Sequence, residues 1–355
     1  MSELENPLPP RTKGKKKMKK PPKKRSPIRM AILGLFLALL LAGGITAGYY
    51  YLKLEEVVGD ISVGLNVEVP KEELASQKPI SILLLGIDAR EGLGLLNTDV
   101  IMVLALNPDR KTATIVSIPR DTYVDPTGWR PHKANYFYAA AYNDNKDTVF
   151  QEVKTIFGEM LSIPIDYASV VDFKTFEDMV DALGGLEIDV DKDMCYRDRA
   201  DGTYINLKAG LQQLDGKEAL DFVRYRQSNC GTAGSSDFER NQRQQQVISK
   251  VVEKVKSPTI ILRGGGVLDA IADNVRTDIP ETQIKSLIMT YAGISNDKIN
   301  YIPLEGSWRS PYIYLDEEGL NAAISRLQEE LDPSPPAQAD EAATADQSDG
   351  GSVDW

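Results

Sequence analysis

The sequence predicts an α/β fold of the α+β type, in which helices cover both faces of a mixed central β-sheet and a single transmembrane helix precedes the domain. Three nearly continuous apolar runs predict the sheet, because strands of this composition are buried on both faces. Later segments with apolar residues at helical spacing predict the covering helices. A segment of 22 uncharged residues at 30–51 predicts the transmembrane helix.

The predicted strands and helices fill one extracytoplasmic domain at about 79–331. Strands are expected at 80–87, 100–106, 113–118, 186–190, 220–226 and 298–303. Helices are expected at 148–161, 173–183, 238–256, 280–294 and 317–331. Residues 332–355 contain no Lys or Arg and are rich in Pro, Ala, Ser and Asp. They are predicted to form a disordered acidic tail, because this composition cannot bury enough apolar area to fold.

The uncharged segment at 30–51 would measure about 33 Å as a helix, which is enough to cross a bilayer. A cleaved signal peptide is the alternative, but its apolar region usually spans only about 7 to 15 residues, which favours an uncleaved anchor. Residues 1–29 hold eleven Lys and Arg against two Glu, so the positive-inside rule predicts a disordered basic cytoplasmic tail. Residues 52–78 are expected to form a stalk. The protein is therefore predicted to be a single-pass cell-membrane protein with its domain outside the cell.

The distribution of charge argues against one class of function. The first 29 residues carry a net charge of +9, so the rest of a chain whose total is −11 carries −20. The basic tract adjoins the predicted span and is expected to contact anionic lipid headgroups. The acidic domain is predicted to lie across the membrane from that tract. We therefore expect no nucleic-acid partner.

The two cysteines, Cys195 and Cys230, lie in the part predicted to be outside the cell, where disulfides form. A bridge between them is expected to stabilise the fold by roughly 3 to 4 kcal/mol, and two free thiols are the alternative. Neither thiol is expected to be catalytic, because His132 is the only histidine in the chain. An activated thiolate usually needs a basic or cationic neighbour.

Polar residues share one face of the helix predicted at 238–256. Asp237, Arg240 and Gln244 recur at i, i+3 and i+7, in line with an apolar stripe that normally faces the core. The strand predicted at 220–226 would place Arg224 and Arg226 on one side of the sheet. Inward-facing arginines predict an anion pocket, most simply for phosphate, whose oxygens match the planar guanidinium. A structural cluster of ion pairs is the alternative.

Two carboxylates and an arginine are expected to meet at one edge of the sheet. If the first two runs pair antiparallel, Asp88 at the end of one lies near Asp99 at the start of the next. A turn then returns the third run, so Arg120 and Asp121 reach the same edge. Two carboxylates about 4 Å apart repel, which predicts a cation between them, and oxygen ligands favour Mg²⁺ or Mn²⁺. The alternative is that Asp88 caps a turn and Asp99 pairs with Arg90 or Arg120.

An acidic metal site opposite several arginines is typical of phosphoryl transfer. The chain has no P-loop motif, and nucleoside triphosphates are scarce outside the cell. We therefore expect the phosphate to come from a membrane-borne polyprenyl pyrophosphate. Leu, Ile and Val on the predicted helices would line a pocket for its lipid or form an ordinary packed core, and the sequence leaves both open.

Eight short motifs follow one another between about residues 79 and 256. They are Ile82–Arg90, Thr98–Met102, Ser117–Thr122, His132–Asn135, Leu183–Glu187, Leu214–Leu220, Val223–Arg226 and Asp237–Gln245. Each is weak alone, but the ordered set strongly resembles the LytR-CpsA-Psr (LCP) family of bacterial cell-envelope proteins. The resemblance implies a transferase that attaches a glycopolymer, such as teichoic acid or capsule, to peptidoglycan from a polyprenyl-pyrophosphate carrier.

The resemblance also implies a role for each polar position. Asp88 and Asp99 match the acidic pair associated with Mg²⁺ in the family. The residues expected to be catalytic are Arg120, Asp121, Arg224, Arg226, Asp237 and Arg240, with Asp121 and Asp237 as candidate general bases. The residues expected to bind substrate are Arg90, Lys133, Arg243 and Gln244. Ala134 follows Lys133 where the family often has Leu or Ile, so the match departs from the pattern there.

In the implied reaction, a sugar hydroxyl of peptidoglycan attacks the glycan-side phosphorus and polyprenyl phosphate leaves. A polyprenyl-pyrophosphate hydrolase is one alternative, because the same arginines would serve water as the nucleophile. A polyprenyl-phosphate-binding envelope regulator or scaffold without catalysis is the other.

Overall fold

The computed structural model describes residues 52, 68–87, 96, 98–198, 202–257, 270 and 275–333. The predicted basic tail, the predicted span at 30–51, most of the predicted stalk and the acidic tail from residue 334 onward lie outside these residues. In the part of the chain so described, no helix combines the length and apolar character that crossing a membrane requires.

The described residues form both strands and helices. The strands are β1 (Ile80–Ile87), β2 (Thr98–Asn107), β3 (Thr112–Ser117), β4 (Tyr123–Val124), β5 (His132–Lys133), β6 (Tyr167–Asp172), β7 (Leu186–Val190), β8 (Met194–Arg197), β9 (Tyr204–Leu207), β10 (Gly210–Leu214), β11 (Val275–Thr277), β12 (Ile299–Pro303), β13 (Gly306–Arg309) and β14 (Tyr312–Leu315). The helices are α1 (Phe137–Asp144), α2 (Val149–Leu161), α3 (Phe173–Ala182), α4 (Gly216–Arg224), α5 (Asp237–Lys256), α6 (Glu281–Tyr291) and α7 (Glu317–Leu331).

The central sheet is mixed, as predicted. Within the described part of the chain its strands lie in the order β11-β6-β1-β2-β3-β12. β1 runs antiparallel to β2, and β2 runs antiparallel to β3, which confirms the pairing expected for the first three apolar runs. β6 lies parallel to β1, and β12 lies parallel to β3.

Different helices cover the two faces of this sheet. Leu83 and Leu85 of β1 belong to a core shared with α1, α2 and α7. Ile80 and Ile82 point to the opposite face and pack against α6. Because successive side chains of a strand alternate between faces, Leu84 lies on this second face, where α3, α4 and α5 also contribute residues. Helices therefore cover both faces, as the sequence predicted.

The strand predicted at 220–226 is wrong, because Gly216–Arg224 form helix α4. Asp215 begins the helix with a capping box: its carboxylate accepts from the Glu218 amide, and the Glu218 side chain accepts from the Asp215 amide. The inner face of the helix is buried at Ala219 and Phe222. Arg224 is therefore the last helical residue, and Arg226 lies in the following loop. The prediction that both side chains lie on one side of a strand is wrong for the same reason.

The folded part of the chain begins upstream of residue 79. Ala75, which we expected to lie in the stalk, is fully buried in the cluster around α6. Its amide donates to Gln283 Oε1 at 3.0 Å, and the Ser76 amide donates to Ser286 Oγ at 3.0 Å. These bonds attach the segment before β1 to α6.

A smaller layer of strands packs beside α4 and α5. β7 pairs with β10, β8 pairs with β9, and their apolar residues share a core with α4. Cys195 of β8 and Cys230 of the loop between α4 and α5 form a disulfide, with their Cα atoms 5.7 Å apart. This bond, which the sequence analysis favoured over free thiols, fixes the loop that follows Arg226.

Candidate functional site

A cavity of about 560 Å³ lies between the central sheet and helices α3, α4 and α5. Part of its lining comes from β1 and β2 through Leu84, Gly86, Val100 and Met102. These residues are neighbours because the register pairs Gly86 with Val100 and Leu84 with Met102. Gly86 contributes no side chain, and a Cβ at this position would lie only 2.9 Å from the Val100 Cβ. The strands therefore provide an apolar floor in which Val100 packs against Gly86 and leaves no room for a larger residue there.

The walls of the cavity are apolar and come mainly from the helices. They are lined by Phe173, Phe176 and Met179 of α3, Leu220 and Val223 of α4, and Val247, Ile248, Val251 and Val252 of α5. The sequence left open whether such side chains form a packed core or line a pocket. The structure shows them along an open space that suits an apolar ligand.

Polar groups also line this cavity. They are Asp99, Arg120, Asp172, Arg224, Arg226, Arg240 and Gln244. Arg240 and Gln244 line it together with Val247 and Val251, so the shared helix face predicted from their spacing is correct. Among the described lining residues, four arginines face two aspartates, which makes this part of the cavity suited to an anion.

Arg120 joins two carboxylates at the edge of the sheet. It forms an ion pair with Asp99, and its Nε lies 3.6 Å from Asp121 Oδ2. Burial alone would lower the pKa of Arg120, but the charges and hydrogen bonds of Asp99 and Asp121 raise it above the ordinary value. Arg120 is therefore charged at any physiological pH. The structure brings these three residues together as the strand pairing predicted, whereas Asp88 and Arg90 lie outside the described residues.

Asp121 lies between Arg120 and Lys133. Lys133 Nζ donates to Asp121 Oδ1 at 2.9 Å, and β5, which carries Lys133, pairs with β4, which begins two residues after Asp121. Burial alone would raise the pKa of Asp121, but the hydrogen bond from Lys133 and the charges of Arg120, Lys133 and Arg226 lower it below the ordinary value. Asp121 is therefore ionised at neutral pH and holds a proton weakly.

Two more arginines line the cavity from the end of α4 and from the loop after it. Arg224 Cζ lies 4.7 Å from the centre of the Phe173 ring, a cation–π contact that orients its guanidinium. Arg226 is exposed, and its effect on the pKa of Asp121 places it within electrostatic reach of that carboxylate. Together with Arg120, these residues surround the polar part of the cavity with cations from three segments of the chain.

Two of the described side chains that line the cavity each have a buried polar atom without a hydrogen-bond partner. The atoms are Gln244 Oε1, an acceptor, and Arg120 Nε, a donor. Leaving such a group unsatisfied typically costs about 1 to 3 kcal/mol, so a ligand or a water that reached these atoms would relieve that cost. A phosphate oxygen would accept from Arg120 Nε, and a hydroxyl or a bound water would donate to Gln244 Oε1.

Arg243, which we expected to bind substrate, is instead buried and bonded to other residues of the protein. Its side chain is 2% exposed and donates to both carboxylate oxygens of Asp191 at 2.7 and 2.9 Å. It also donates to the Tyr225 carbonyl at 3.2 Å and to Ser235 Oγ at 2.8 Å. The side chain does not line the cavity, because its donors are taken up by Asp191 after β7 and by Tyr225 and Ser235 in the loop between α4 and α5. We correct the prediction accordingly.

The predicted metal site is only partly covered by the described residues. The Asp99 carboxylate and the unpartnered Gln244 Oε1 are oxygen donors of the kind that Mg²⁺ or Mn²⁺ takes. Asp99 is engaged by Arg120, and Asp88, the other predicted ligand, lies outside the described residues. Among those residues, no group of three His, Cys, Asp or Glu side chains could hold a metal. The described donors do not make up a cation site by themselves, and the metal site stays a prediction.

Comparison with known proteins assigns the chain to a family. A model of the LytR_cpsA_psr family matches residues 48–331. The chain belongs to this family. One relative is the polyisoprenyl-teichoic acid–peptidoglycan teichoic acid transferase TagT of Bacillus subtilis (strain 168), which is 32% identical over 337 residues. The match covers 90% of this chain and 98% of that protein.

Solved structures of LytR_cpsA_psr proteins share the fold. The crystal structure of B. subtilis TagV aligns with a TM-score of 0.57 and 32% identity, over 73% of this chain and 99% of that one. A structure of TagT with bound octaprenyl pyrophosphate lipid aligns with a TM-score of 0.51 and 25% identity, over 77% of this chain and 96% of that one. The mixed α/β architecture is thus that of the family.

The structure adds two residues to this family member's site that the sequence analysis did not single out. Asp172 lines the cavity and pairs in register with Ile87, the last residue of β1. Its carboxylate also caps α3 by accepting from the Thr175 amide at 2.7 Å. Phe173 provides the ring beneath Arg224. The sequence signal for Asp172 was its position just before the helix predicted at 173–183, which is typical of an N-cap.

Proposed function

We propose that this LytR_cpsA_psr protein transfers a glycopolymer, such as a teichoic acid, from a polyprenyl-pyrophosphate carrier to peptidoglycan. The observation that carries the proposal is one cavity that combines apolar walls with four arginines. A polyprenyl chain needs the apolar walls, and its diphosphate needs the guanidinium donors. The names of the teichoic acid transferase relatives and the octaprenyl pyrophosphate bound to TagT support the same substrate class.

In the proposed reaction, a sugar hydroxyl of peptidoglycan attacks the phosphorus that carries the glycopolymer. The new P–O bond forms as the bond from this phosphorus to the bridging oxygen breaks, and polyprenyl phosphate leaves with the electron pair. The hydroxyl proton passes to a base. The product is a phosphodiester between polymer and peptidoglycan, and the barrier is lowered mainly by stabilising negative charge on the phosphoryl oxygens.

The arginines are proposed to supply that stabilisation. Arg120 lines the cavity, has an Nε that makes no hydrogen bond although Asp121 lies 3.6 Å away, and keeps its charge because Asp99 and Asp121 raise its pKa. Arg224, Arg226 and Arg240 line the same space from α4, the following loop and α5. Donors from separate segments contact several oxygens of a diphosphate at once, which holds the reacting phosphorus in place.

The base is proposed to be one of two aspartates. The lowered pKa of Asp121 makes it a weak proton acceptor, and its contacts with Arg120 and Lys133 give it a positioning role. Asp237, the first residue of α5, is the other candidate. The efficiency of a base falls as its pKa moves away from the working pH.

Mg²⁺ or Mn²⁺ is proposed as the cofactor, held by Asp99 together with Asp88. When bound, such an ion supplies positive charge that neutralises diphosphate oxygens and orients them. Residues 30–51 are proposed to anchor the chain in the cell membrane with its N-terminus in the cytoplasm. This location would place the cavity on the side of the membrane where the acceptor is found.

The deciding experiment supplies the purified full chain with lipid-linked glycan and Mg²⁺, with and without peptidoglycan oligomers. We expect polymer to appear on the oligomers and polyprenyl phosphate to be released in equal amount. Release that is equal with and without oligomers would instead identify a hydrolase. Bound lipid that never turns over would identify a regulator or scaffold. Repeating the assay after chelation with EDTA, and after Mg²⁺ is restored, tests the cofactor.

A further inference from the structure

The ring of Phe173 lies where the apolar wall of the cavity meets its polar part. Phe173 lines the cavity together with Phe176 and Met179, which follow it at intervals of three residues on one face of α3. Met179 lies about 9 Å further along the helix axis. At the start of the helix, the Cζ atom of Arg224 lies over the Phe173 ring, 4.7 Å from its centre. Phe173 therefore belongs to the apolar wall and also contacts an arginine of the polar part.

The start of α3 holds Phe173 in a fixed position. Phe173 is the first residue of this helix, and the preceding Asp172 is its N-cap. The Asp172 carboxylate accepts from both the amide and the hydroxyl of Thr175 at 2.7 Å. Asp172 also pairs in register with Ile87 at the end of β1. The backbone that carries the ring is thus attached to the central sheet and to the first turn of the helix.

Close packing of α3 and α4 brings Arg224 to this ring. The Gly216 amide at the start of α4 donates to Asp181 Oδ1 in the last turn of α3 at 2.7 Å. A Cβ at Gly216 would lie only 2.1 Å from the Glu177 carbonyl oxygen, so the two helices nearly touch there. Since α4 begins beside the end of α3, its last residue, Arg224, lies beside the start of α3.

An aromatic contact suits an arginine that binds an anion. The face of a ring attracts a guanidinium through the ring quadrupole, but it offers no acceptor oxygen and adds no charge. Arg120 shows the contrast, because its ion pair with Asp99 engages one nitrogen and places a negative charge beside it. The ring of Phe173 therefore orients Arg224 without adding negative charge next to a bound phosphate.

We propose that Phe173 is a positioning residue, which holds the guanidinium of Arg224 toward the diphosphate at the point where the lipid chain begins. This inference rests on the proposed function, because it concerns binding of the same lipid diphosphate. An arginine side chain loses much rotational freedom when it is ordered. A ring that restricts Arg224 before the ligand arrives reduces the entropy lost on binding. Phe173 thus acts on the phosphate through Arg224.

A simpler role for Phe173 would be to pack against the lipid chain alone. Packing requires a lipid, whereas positioning requires Arg224. Inorganic diphosphate has no lipid chain, so its affinity responds to Phe173 only if the ring acts through the cations. Binding of this probe also needs no transfer reaction, which separates the inference from the proposed function.

The first test measures binding of inorganic diphosphate to the full chain with Mg²⁺ by titration calorimetry. Phe173→Leu keeps an apolar side chain and removes the ring. Phe150→Leu is the matched control, because Phe150 of α2 is half-buried in the core on the opposite face of the sheet. We expect Phe173→Leu to weaken binding about three- to tenfold, as loss of a cation–π contact does, and Phe150→Leu to stay within about twofold. Phe173→Tyr should restore the affinity.

A second test changes the electrostatics of the ring and leaves its size nearly unchanged. Phenylalanines that carry one, two or three ring fluorines at position 173 withdraw electron density from the ring face in steps. We expect the affinity for diphosphate, and kcat/KM for transfer, to fall with each added fluorine. The same series in an Arg224→Gln background should show no trend, because the ring then has no cation to hold. This series also decides the inference if Phe173→Leu fails to fold.

Four results would overturn the inference. The first is a Phe173→Leu protein that binds diphosphate as the Phe150→Leu protein does. The second is a fluorine series without a trend when Arg224 is present. The third is a trend that persists in the Arg224→Gln background, which would identify a direct contact between ring and ligand. The fourth is a wild-type chain that binds no inorganic diphosphate. If the wild-type chain binds diphosphate but performs no transfer, the proposed function fails, and the binding results alone decide the inference.

Discussion

Arg120 and Asp99 form an ion pair across the edge of the central sheet, although 21 positions separate them in the sequence. The pair forms because β2 begins at Thr98 and β3 returns antiparallel to end at Ser117, shortly before Arg120. Asp99 thereby holds Nη1 of the guanidinium, while Nε makes no hydrogen bond and lies 3.6 Å from Asp121 Oδ2.

Replacing Arg120 with Ala is expected to lower kcat/KM for transfer at least about 100-fold, because one preorganised donor to the developing charge is lost. Steady-state transfer to peptidoglycan oligomers measures the effect. Arg326→Ala is the matched control, since this arginine pairs with Glu329 on α7, and α7 packs on the sheet face opposite the cavity. Full turnover by the Arg120→Ala protein would refute the assignment of the cavity as the active site.

Arg243 and Arg226 are expected to respond to substitution in opposite ways. Arg243→Ala should lower the free energy of unfolding by about 2 to 4 kcal/mol, because it leaves the loop carbonyl and Asp191 without their donor. Arg226→Ala should leave that free energy within about 0.5 kcal/mol, because the side chain is exposed, while transfer is lost. Urea denaturation followed by circular dichroism, beside the transfer assay, separates the two. An Arg243→Ala protein of normal stability and no activity would restore the original substrate-binding prediction.

The stability of the protein should depend on pH through Asp121. Its pKa is lower in the folded chain than the ordinary value of 3.8, so its ionised form stabilises the fold above that value. This contribution is lost as the pH falls below about 3.8 and through the folded-state pKa. The difference in unfolding free energy between wild type and Asp121→Asn should therefore be largest above about pH 5 and shrink in acid. A difference that stays constant from neutral pH into acid would contradict this account.

Reduction of the disulfide between Cys195 and Cys230 is expected to lower the free energy of unfolding by roughly 3 to 4 kcal/mol. The bond holds the loop between α4 and α5, which contains Arg226, so transfer activity should fall as well. Urea midpoints with and without dithiothreitol provide the measurement. The double variant Cys195→Ser, Cys230→Ser should match the reduced wild type and be insensitive to the reagent. An unchanged midpoint after complete reduction would show that the bond is energetically neutral.

Filling the cavity should discriminate between long and short lipids. Met179→Trp places a larger ring among the apolar walls, and it should weaken binding of a long polyprenyl diphosphate at least tenfold, since each excluded isoprene unit loses several buried carbons. A diphosphate with a ten-carbon chain should be affected much less. Met289→Trp on the exposed side of α6 is the control. Equal weakening of both ligands would show that the chain does not enter the cavity at this wall.

The sheet could be predicted from the sequence better than the cavity it supports. The runs that become β1, β2 and β3 are apolar and joined by a turn, so their strand type and pairing were predictable. The same runs are apolar on both faces, which removes the period-two pattern that would have shown Leu84 and Gly86 facing the cavity. On this face of β1, α6 packs on Ile80 and Ile82 but not on Leu84, which therefore lines the cavity.

The error at α4 has a local cause. Val223 and Tyr225 favour strands and alternate with arginines, so the segment resembled a strand in isolation. The capping box formed by Asp215 and Glu218 was present in the sequence and predicts a helix start. Buried Ala219 and Phe222 lie three positions apart, which is a helical spacing. The sequence therefore contained signals for a helix, but the strand propensity of Val223 and Tyr225 outweighed them in the prediction.

How well the contacts of a site residue could be predicted depends on how far away its partner lies in the sequence. Asp99 and Arg120 are brought to one sheet edge by neighbouring strands, which the sequence order predicted, and their ion pair is the alternative that we gave to a metal site there. Arg243 belongs to the same motif as Arg240, yet its partner Asp191 lies 52 positions away in β7's following turn. Nothing local in the motif distinguishes an arginine that lines a cavity from one that is saturated by a distant carboxylate.

The order of strands in the central sheet also affects how the chain folds while it is being synthesised. β3 is covered on its outer side by β12, and β6 by β11, so both edges stay unpaired until the ribosome has released most of the chain. Unpaired edges invite association between nascent molecules, and pairings so distant in sequence close slowly. Shortening the chain before Ile299 should therefore yield aggregates rather than a smaller working domain.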